Sequence, residues 1–381
     1  MRLLYIGHTY LVNENQKKLT ALAGLPDVEV GVVVPHMWRE PVLEQVYPHI
    51  DPQAAYSIYP TKVLFPGNEM RYVYLSANLH LREFSPDVLV VENGAGAFAY
   101  TQALLYRQRY APHARTVFFT WWNLPYRSRQ PFRAIERYNL QRSDGAIAGN
   151  RDAAAILETH GYAGPLLILP QLGVDETVFC PQDYSEKRRS LGLGEFVIGY
   201  AGRLVPEKGL NVLMDALEEF SGAFELLIIG RGPLEPALRE WGEGLGPQQR
   251  LHLLPSVPHS EIAAWMNAMD VFVLPSLTTD FWKEQFGHVL VEAMACEVTV
   301  VGSSSAEIPN VIGDAGYVVL EGDPAALRTT LQNLANHPKE RAGMAARGRA
   351  RVIAHYTHAR IAHMTIKFFK GLLNDPVHAR N

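Results

Sequence analysis

Along the chain, short apolar runs bounded by turn residues alternate with longer segments in which apolar positions recur every three or four residues. Short continuous runs suit strands buried on both faces, and the amphipathic segments suit helices laid over them. Together they predict an α/β chain with mostly parallel sheets. The expected strands of the first half are Leu3 to Ile6, Val28 to Val34, Asp87 to Val91, Thr116 to Thr120, Gly145 to Ala148 and Leu167 to Leu169. The second half restarts the pattern with Phe196 to Tyr200, Glu225 to Ile229, Leu251 to Leu254, Val271 to Leu274 and Thr299 to Val301.

The restart implies two α/β units in tandem, which suits 381 residues at roughly 150 per domain. Pro170-Gln171-Leu172-Gly173-Val174-Asp175 punctuates the chain between them, giving expected domains of 1–172 and 173–355. The segment from Arg341 to Leu373 is helical in period, and its end carries Ile361, Met364, Ile366, Phe368 and Phe369, an apolar face that requires a surface to cover.

Composition narrows the function classes. With 48% hydrophobic and 19% charged residues the chain is globular, not disordered. Lys plus Arg at 35 against Asp plus Glu at 39 gives a net charge of −4, so no global positive field favours nucleic acid. Cys180 and Cys296 are too few for a disulfide framework or a four-ligand zinc site, which points to a reducing cytoplasm. The opening Met1 to His8 reads as a buried strand, not a signal peptide, and no apolar run reaches the ~18 residues that a spanning helix needs.

Two strings carry chemistry. Gly202-Arg203-Leu204-Val205-Pro206-Glu207-Lys208-Gly209 follows the strand Phe196 to Tyr200 and precedes Leu210, Leu213, Leu217 and Phe220, one face of a helix. The loop thus ends at a helix N-terminus, whose unpaired N–H groups and partial positive charge, flanked by a guanidinium and an ammonium, suit a diphosphate. A solvated surface turn is the other reading.

The second string is Glu284-Gln285-Phe286-Gly287-His288-Val289-Leu290-Val291-Glu292-Ala293-Met294-Ala295. Helical period starts at Val289, leaving Glu284 in the preceding loop and Glu292 about one turn into the helix. A carboxylate suits a ribose diol or neighbouring sugar hydroxyls, and Gly287 lets backbone amides approach a ligand. The helix dipole alone also accounts for either carboxylate.

Taken together, these strings resemble glycosyltransferase family 4, the retaining nucleotide-sugar transferases of GT-B architecture. Gly230-Arg231-Gly232-Pro233 and Glu292-Ala293-Met294-Ala295-Cys296 add to the resemblance, which covers Pro170 to about Tyr317 well and the first half in outline. It implies two facing Rossmann-like domains with a cleft between them, the first on the acceptor side and the second holding the donor, with 356–381 crossing back onto the first. By the same resemblance Arg203 and Lys208 hold the donor diphosphate, Glu292 the nucleotide ribose, and Glu284 with the Phe286, Gly287, His288 and Val289 backbone the transferred sugar. Gly202 belongs to the same donor loop. The implied activity is transfer of a hexose from a UDP- or GDP-sugar to a saccharide or lipid-linked acceptor hydroxyl, in polysaccharide or glycoconjugate assembly.

The chain also departs from the family. Glu297 and Thr299 stand where a Gly and a Pro are usual after Cys296, and His8-Thr9-Tyr10 replaces paired glycines in the first loop. After the strand Thr116 to Thr120, where many members place a His, the chain reads Trp121-Trp122-Asn123. Trp122 and Asn123 are the acceptor-side candidates, with core packing the alternative for the paired tryptophans.

Other signals carry less. Gly94-Ala95-Gly96-Ala97-Phe98-Ala99 fits the dinucleotide fingerprint formally, yet Arg107 to Asn123 holds no acidic residue for a ribose, so a plain glycine turn is expected. His355, His358 and His363 do not converge on one straight helix, because His363 sits about 140° around from His358. There is no Asp-x-Asp triplet, so the metal-diphosphate clamp of many other transferases has no candidate; no metal or other cofactor is expected, the nucleotide sugar being a substrate. Tyr126 to Arg142 carries five Arg and one Glu, a local +4 that suits either a solvated helix face or peripheral contact with the inner face of a membrane. A nucleotide-sugar epimerase on the same fold and a non-catalytic nucleotide-sugar-binding protein are the alternative functions.

Overall fold

The computed structural model of the chain describes residues 1–40, 45–194 and 196–375. The chain forms two compact units, Met1–Gly173 joined by the segment from His358, and Val174–Thr357. The part of the expected tail beyond 375 lies outside the described residues.

The first unit is built on a seven-stranded sheet in the order Ser57–Thr61, Glu29–Pro35, Arg2–Ile6, Val88–Val91, Arg115–Thr120, Gly145–Ala148, Leu166–Ile168, with every neighbouring pair parallel. The central runs Leu3–Ile6 and Val88–Val91 are buried throughout, as expected of strands covered on both faces. Asn150 caps the helix Arg151–Thr159 by accepting from Ala153 N at 2.8 Å. The last helix, His358–Asn374, buries Ile361, Ile366, Phe369 and Leu372 in this unit's core. Gly145 permits that docking, because a Cβ there would stand 2.8 Å from Leu372 Cδ1.

The second unit carries six parallel strands in the order Gln249–Leu254, Phe224–Ile229, Val197–Ala201, Val271–Leu274, Thr299–Ser303, Tyr317–Val319. This is the doubly wound Rossmann order, in which the strand sequence reverses direction between Val197–Ala201 and Val271–Leu274. Ligands of such sheets bind beyond the carboxyl ends of the strands at that reversal. The loops that leave it are Gly202–Gly209 and Pro275–Gly287.

Two edge strands go beyond the sequence expectation. Ser57–Thr61 is half exposed and carries Pro60, which only an edge strand tolerates, and Tyr317–Val319 is three residues long. The tail also differs from the continuous period read over Arg341 to Leu373. It is two helices, Pro338–His355 and His358–Asn374, interrupted where Tyr356 O accepts from Val174 N at 2.9 Å and Thr357 pairs with Val174 as a β-bridge. His355 and His358 therefore lie on different helices, which replaces the single straight helix assumed for the three histidines.

Candidate active site

The site grows from two glycine-built loops. Gly202 follows the strand Val197–Ala201, and its N–H donates to Ile229 O at 2.9 Å. Leu204 N donates to Arg231 O and Leu234 N to Leu204 O, at 2.9 and 3.0 Å, so the Gly202 loop lies against the Gly230-Arg231-Gly232-Pro233 loop. A Cβ on Gly230 would stand 1.9 Å from Gly202 O, which explains the glycine. Further on, Gly209 holds φ +70° and would place a Cβ 1.8 Å from Pro275 O. That contact and the hydrogen bond from Leu277 N to Glu207 O, at 2.9 Å, tie the first loop to the loop after Val271–Leu274.

Each loop delivers a helix N-terminus. Gly209 is the N-cap of Leu210–Glu218, and Gly287, at φ +82°, is the N-cap of His288–Ala295. Glycine N-caps bring no side chain to the first-turn N–H groups, so both ends keep their capacity for an anion.

The side chains fall into three sets. Lys208 and Glu284 meet, with Nζ 2.6 Å from Oε2 and side chains only 14% and 11% exposed. Ser276 Oγ donates to the same carboxylate oxygen at 3.0 Å, and the Trp282 ring centroid lies 4.8 Å from Nζ. Tyr200, at the end of the strand, donates its hydroxyl to Arg203 O at 2.7 Å, and burial first, then the Glu284 charge, pushes its ionisation well above the ordinary phenol range. Arg203 itself is 63% exposed and makes a loose 3.7 Å contact with Glu207, so its guanidinium stays at the solvent edge of the loop. Glu292, a turn into His288–Ala295, pairs with His259 Nε2 at 2.9 Å.

Phe286 is buried against Tyr356 and His288, ring centroids 5.6 and 4.8 Å away, and so anchors the turn before Gly287. His288 and Val289 are partly buried in the first turn. Ser276, Trp282 and His259 are partners that sequence reading missed. Trp282, two residues before Glu284, was the one visible signal, whereas His259 reaches Glu292 only through the fold.

In the first unit the paired tryptophans divide. Trp121 is packing: its Nε1 donates to Gln171 Oε1 at 2.9 Å, and a Cβ on Gly149 would stand 2.0 Å from its ring. Trp122 is 53% exposed, with its ring edge-on to Tyr126 at 5.8 Å, and Asn123 beside it is buried. The glycine turn at Gly94 to Ala97 is filled by its own chain. Asn139 Nδ2 donates to Ala95 O at 2.6 Å, and a Cβ on Gly96 would meet Met70 at 2.8 Å.

The basic stretch forms the helix Phe132–Arg142 and the loop before it. Its single acid turns inward: Glu136 is buried, accepting from Tyr126 OH and from Ser128 Oγ, and lies 2.9 Å from His160 Nδ1. Arg127, Arg129, Arg133, Arg137 and Arg142 are all exposed. The aromatic positions face the protein, since Phe132 stacks on Phe98 at 5.7 Å and Tyr138 joins the core.

A family profile described as "Glycosyl transferases group 1" matches residues 183–351. The matched residues lie within the second unit, which is thus similar to group 1 glycosyl transferases. Over 196 residues the chain is 33% identical to the GDP-mannose-dependent monoacylated alpha-(1-6)-phosphatidylinositol monomannoside mannosyltransferase of Corynebacterium glutamicum, covering 49% of this chain and 51% of that one. Over 186 residues it is 31% identical to the D-inositol 3-phosphate glycosyltransferase of Mycobacteroides abscessus, covering 47% and 41%. The chain thus spans about half or less of the length of these relatives.

The fold likeness extends beyond residues 183–351. Sucrose-phosphate synthase from Thermosynechococcus elongatus matches with a TM-score of 0.73 at 18% identity, over 98% of this chain and 99% of that one. Anabaena HepE in complex with UDP matches at 0.71 and 16%, over 97% and 100%. The fold class is GT-B, an α/β chain of two Rossmann-like domains. No helix among the described residues is long and apolar enough to cross a membrane.

Proposed function

We propose that the chain is a retaining glycosyltransferase that moves a hexose from a UDP- or GDP-sugar to an acceptor hydroxyl in polysaccharide or glycoconjugate assembly. The observation that carries the reading is the meeting of Lys208 and Glu284 at the strand-order reversal of the second unit, between two glycine-capped helix N-termini. Negative charge grows on the departing diphosphate in the transition state, and preorganised cations and N–H groups stabilise it there. Lys208, Arg203 and the N-termini after Gly209 and Gly287 take that role. Glu284 orients the sugar, the Phe286 to Val289 backbone lines it, and Glu292 takes the nucleotide ribose. The reaction needs no metal in this reading, because protein cations and helix ends supply the positive charge.

Retention follows if the acceptor attacks on the face that the diphosphate leaves, through an oxocarbenium-like transition state, with no covalent nucleophile from the protein. On the first unit, exposed Trp122 and neighbouring Asn123 take a saccharide or lipid-linked acceptor. The five exposed arginines of 127–142 support peripheral contact with an anionic membrane face from the cytoplasmic side. Since Phe132 and Tyr138 are used internally, that contact is electrostatic, at about 1 kcal/mol per arginine near the surface.

Product analysis tests the reading. A transferase releases a free nucleoside diphosphate and a glycosylated acceptor of unchanged anomeric configuration. An isomeric nucleotide sugar would show an epimerase, and binding without turnover a non-catalytic protein.

A further inference from the structure

Lys208 already has an anion beside it in the free protein, and that anion is Glu284. The contact is short, at 2.6 Å, and lies where solvent is largely excluded, so the attraction is stronger than between surface charges. It is also supported from behind. Ser276 Oγ holds the carboxylate oxygen, and the Trp282 ring faces the ammonium. Trp282 is fixed in turn: its N–H donates to Thr279 Oγ1 at 3.0 Å, and Thr279 N donates to its carbonyl at 2.8 Å. Thr278 anchors the segment to Glu321 Oε2 through its N–H and its hydroxyl, both at 2.9 Å.

We propose that this pair is an internal counter-ligand that makes the site select a nucleotide sugar over a bare nucleoside diphosphate. The inference rests on the donor-site reading above. A diphosphate that takes Lys208 competes with Glu284 for the ammonium, and weakening the cation's hold on a partly buried carboxylate is costly. A nucleotide sugar brings hydroxyl donors to the carboxylate as the pair opens, whereas a bare diphosphate brings none. Once the sugar has left, Glu284 returns to Lys208 and competes with the product diphosphate, which favours product release. Trp282 is a positioning residue that keeps Lys208 within reach of either anion through its ring face.

The test is calorimetric titration of the full chain with UDP, GDP and ADP and with UDP-glucose, GDP-mannose and ADP-glucose, for wild type and Glu284→Gln. The amide keeps the side-chain volume and a hydrogen-bond acceptor for Ser276 but no charge for Lys208. The preferred bare diphosphate is expected to bind Glu284→Gln about tenfold tighter, a gain of about 1.4 kcal/mol, while the sugar nucleotide gains nothing. If wild type binds both ligands and the variant binds the bare diphosphate no better, the counter-ligand is overturned and the donor site stands. If wild type binds none of the six, the donor-site reading falls and the proposal with it. Should Glu284→Gln lose its circular-dichroism signature, Glu284→Asp, which retracts the carboxylate by one methylene, is expected to shift the ratio the same way. Trp282→Ala should weaken both ligands together and Trp282→Phe restore them. Unchanged binding in Trp282→Ala would overturn the positioning role.

Discussion

Lys208 and Glu284 lie 76 positions apart in sequence, yet Nζ and Oε2 are 2.6 Å apart. Each leaves the sheet from a strand that borders the same reversal of strand order. Lys208 ends the short 3-10 turn Pro206–Lys208 and contributes no core side chain, so its removal should leave the chain folded, though less stable because the Glu284 carboxylate loses its cation. Lys208→Ala is expected to cut turnover about 10²- to 10³-fold, the usual loss for one transition-state charge stabiliser, with an unchanged circular-dichroism spectrum. Near-normal turnover in a folded variant would sink its assigned role.

Gly209 sets the geometry of that lysine. Its φ of +70° disfavours any side chain, and a Cβ would collide with Pro275 O at 1.8 Å, a backbone atom that cannot swing away. Gly209→Ala is expected to lower the urea midpoint by an amount equivalent to about 1–3 kcal/mol. A wild-type midpoint would show that the two loops are not in contact.

The first unit has its own buried charge pair at the equivalent reversal, between Arg2–Ile6 and Val88–Val91. Glu92 and Lys18 are 2.8 Å apart with side chains 0% and 3% exposed, and Tyr10 OH donates to the same carboxylate at 2.7 Å. Gln171 Nε2 donates to the other oxygen. Lys18→Met removes one partner and strands a buried carboxylate, so a destabilisation of about 3–5 kcal/mol is expected by chemical unfolding. A loss under about 1 kcal/mol would mean that water reaches Glu92.

Cys296 is buried under Ala263, and burial above all pushes its thiol up to about 12. The unfolded thiol titrates near about 8.5, so between that pH and 12 the folded chain holds a proton that the unfolded chain has released. Stability should therefore fall as pH rises through this window. A thiol reagent at pH 8 should label Cys180, which is half-buried, well before Cys296, and both together only in denaturant. Equal labelling rates in the native state would contradict the burial.

The buried strands were legible because a run such as Val88–Val91 has no polar alternative to the core. Ser57–Thr61 was not, since an edge strand pairs on one side and keeps polar and half-exposed positions. The two site strings were readable as loop-to-helix elements, but the ion pair between them needed the strand order. Trp282 stood in plain view without a partner until the fold set it over Lys208. The Glu92 cluster was invisible, because Tyr10, Lys18, Glu92 and Gln171 share no spacing in sequence and meet only through packing.

The central claim is that the loops around Lys208 and Glu284 bind the diphosphate of a nucleotide sugar. Calorimetric titration of UDP, GDP, ADP and NAD against the wild type and Lys208→Ala tests it most directly. One nucleoside diphosphate should bind the wild type and bind the variant at least about tenfold more weakly. Tight NAD binding with no response to any diphosphate, or equal diphosphate affinity in both proteins, would contradict the account.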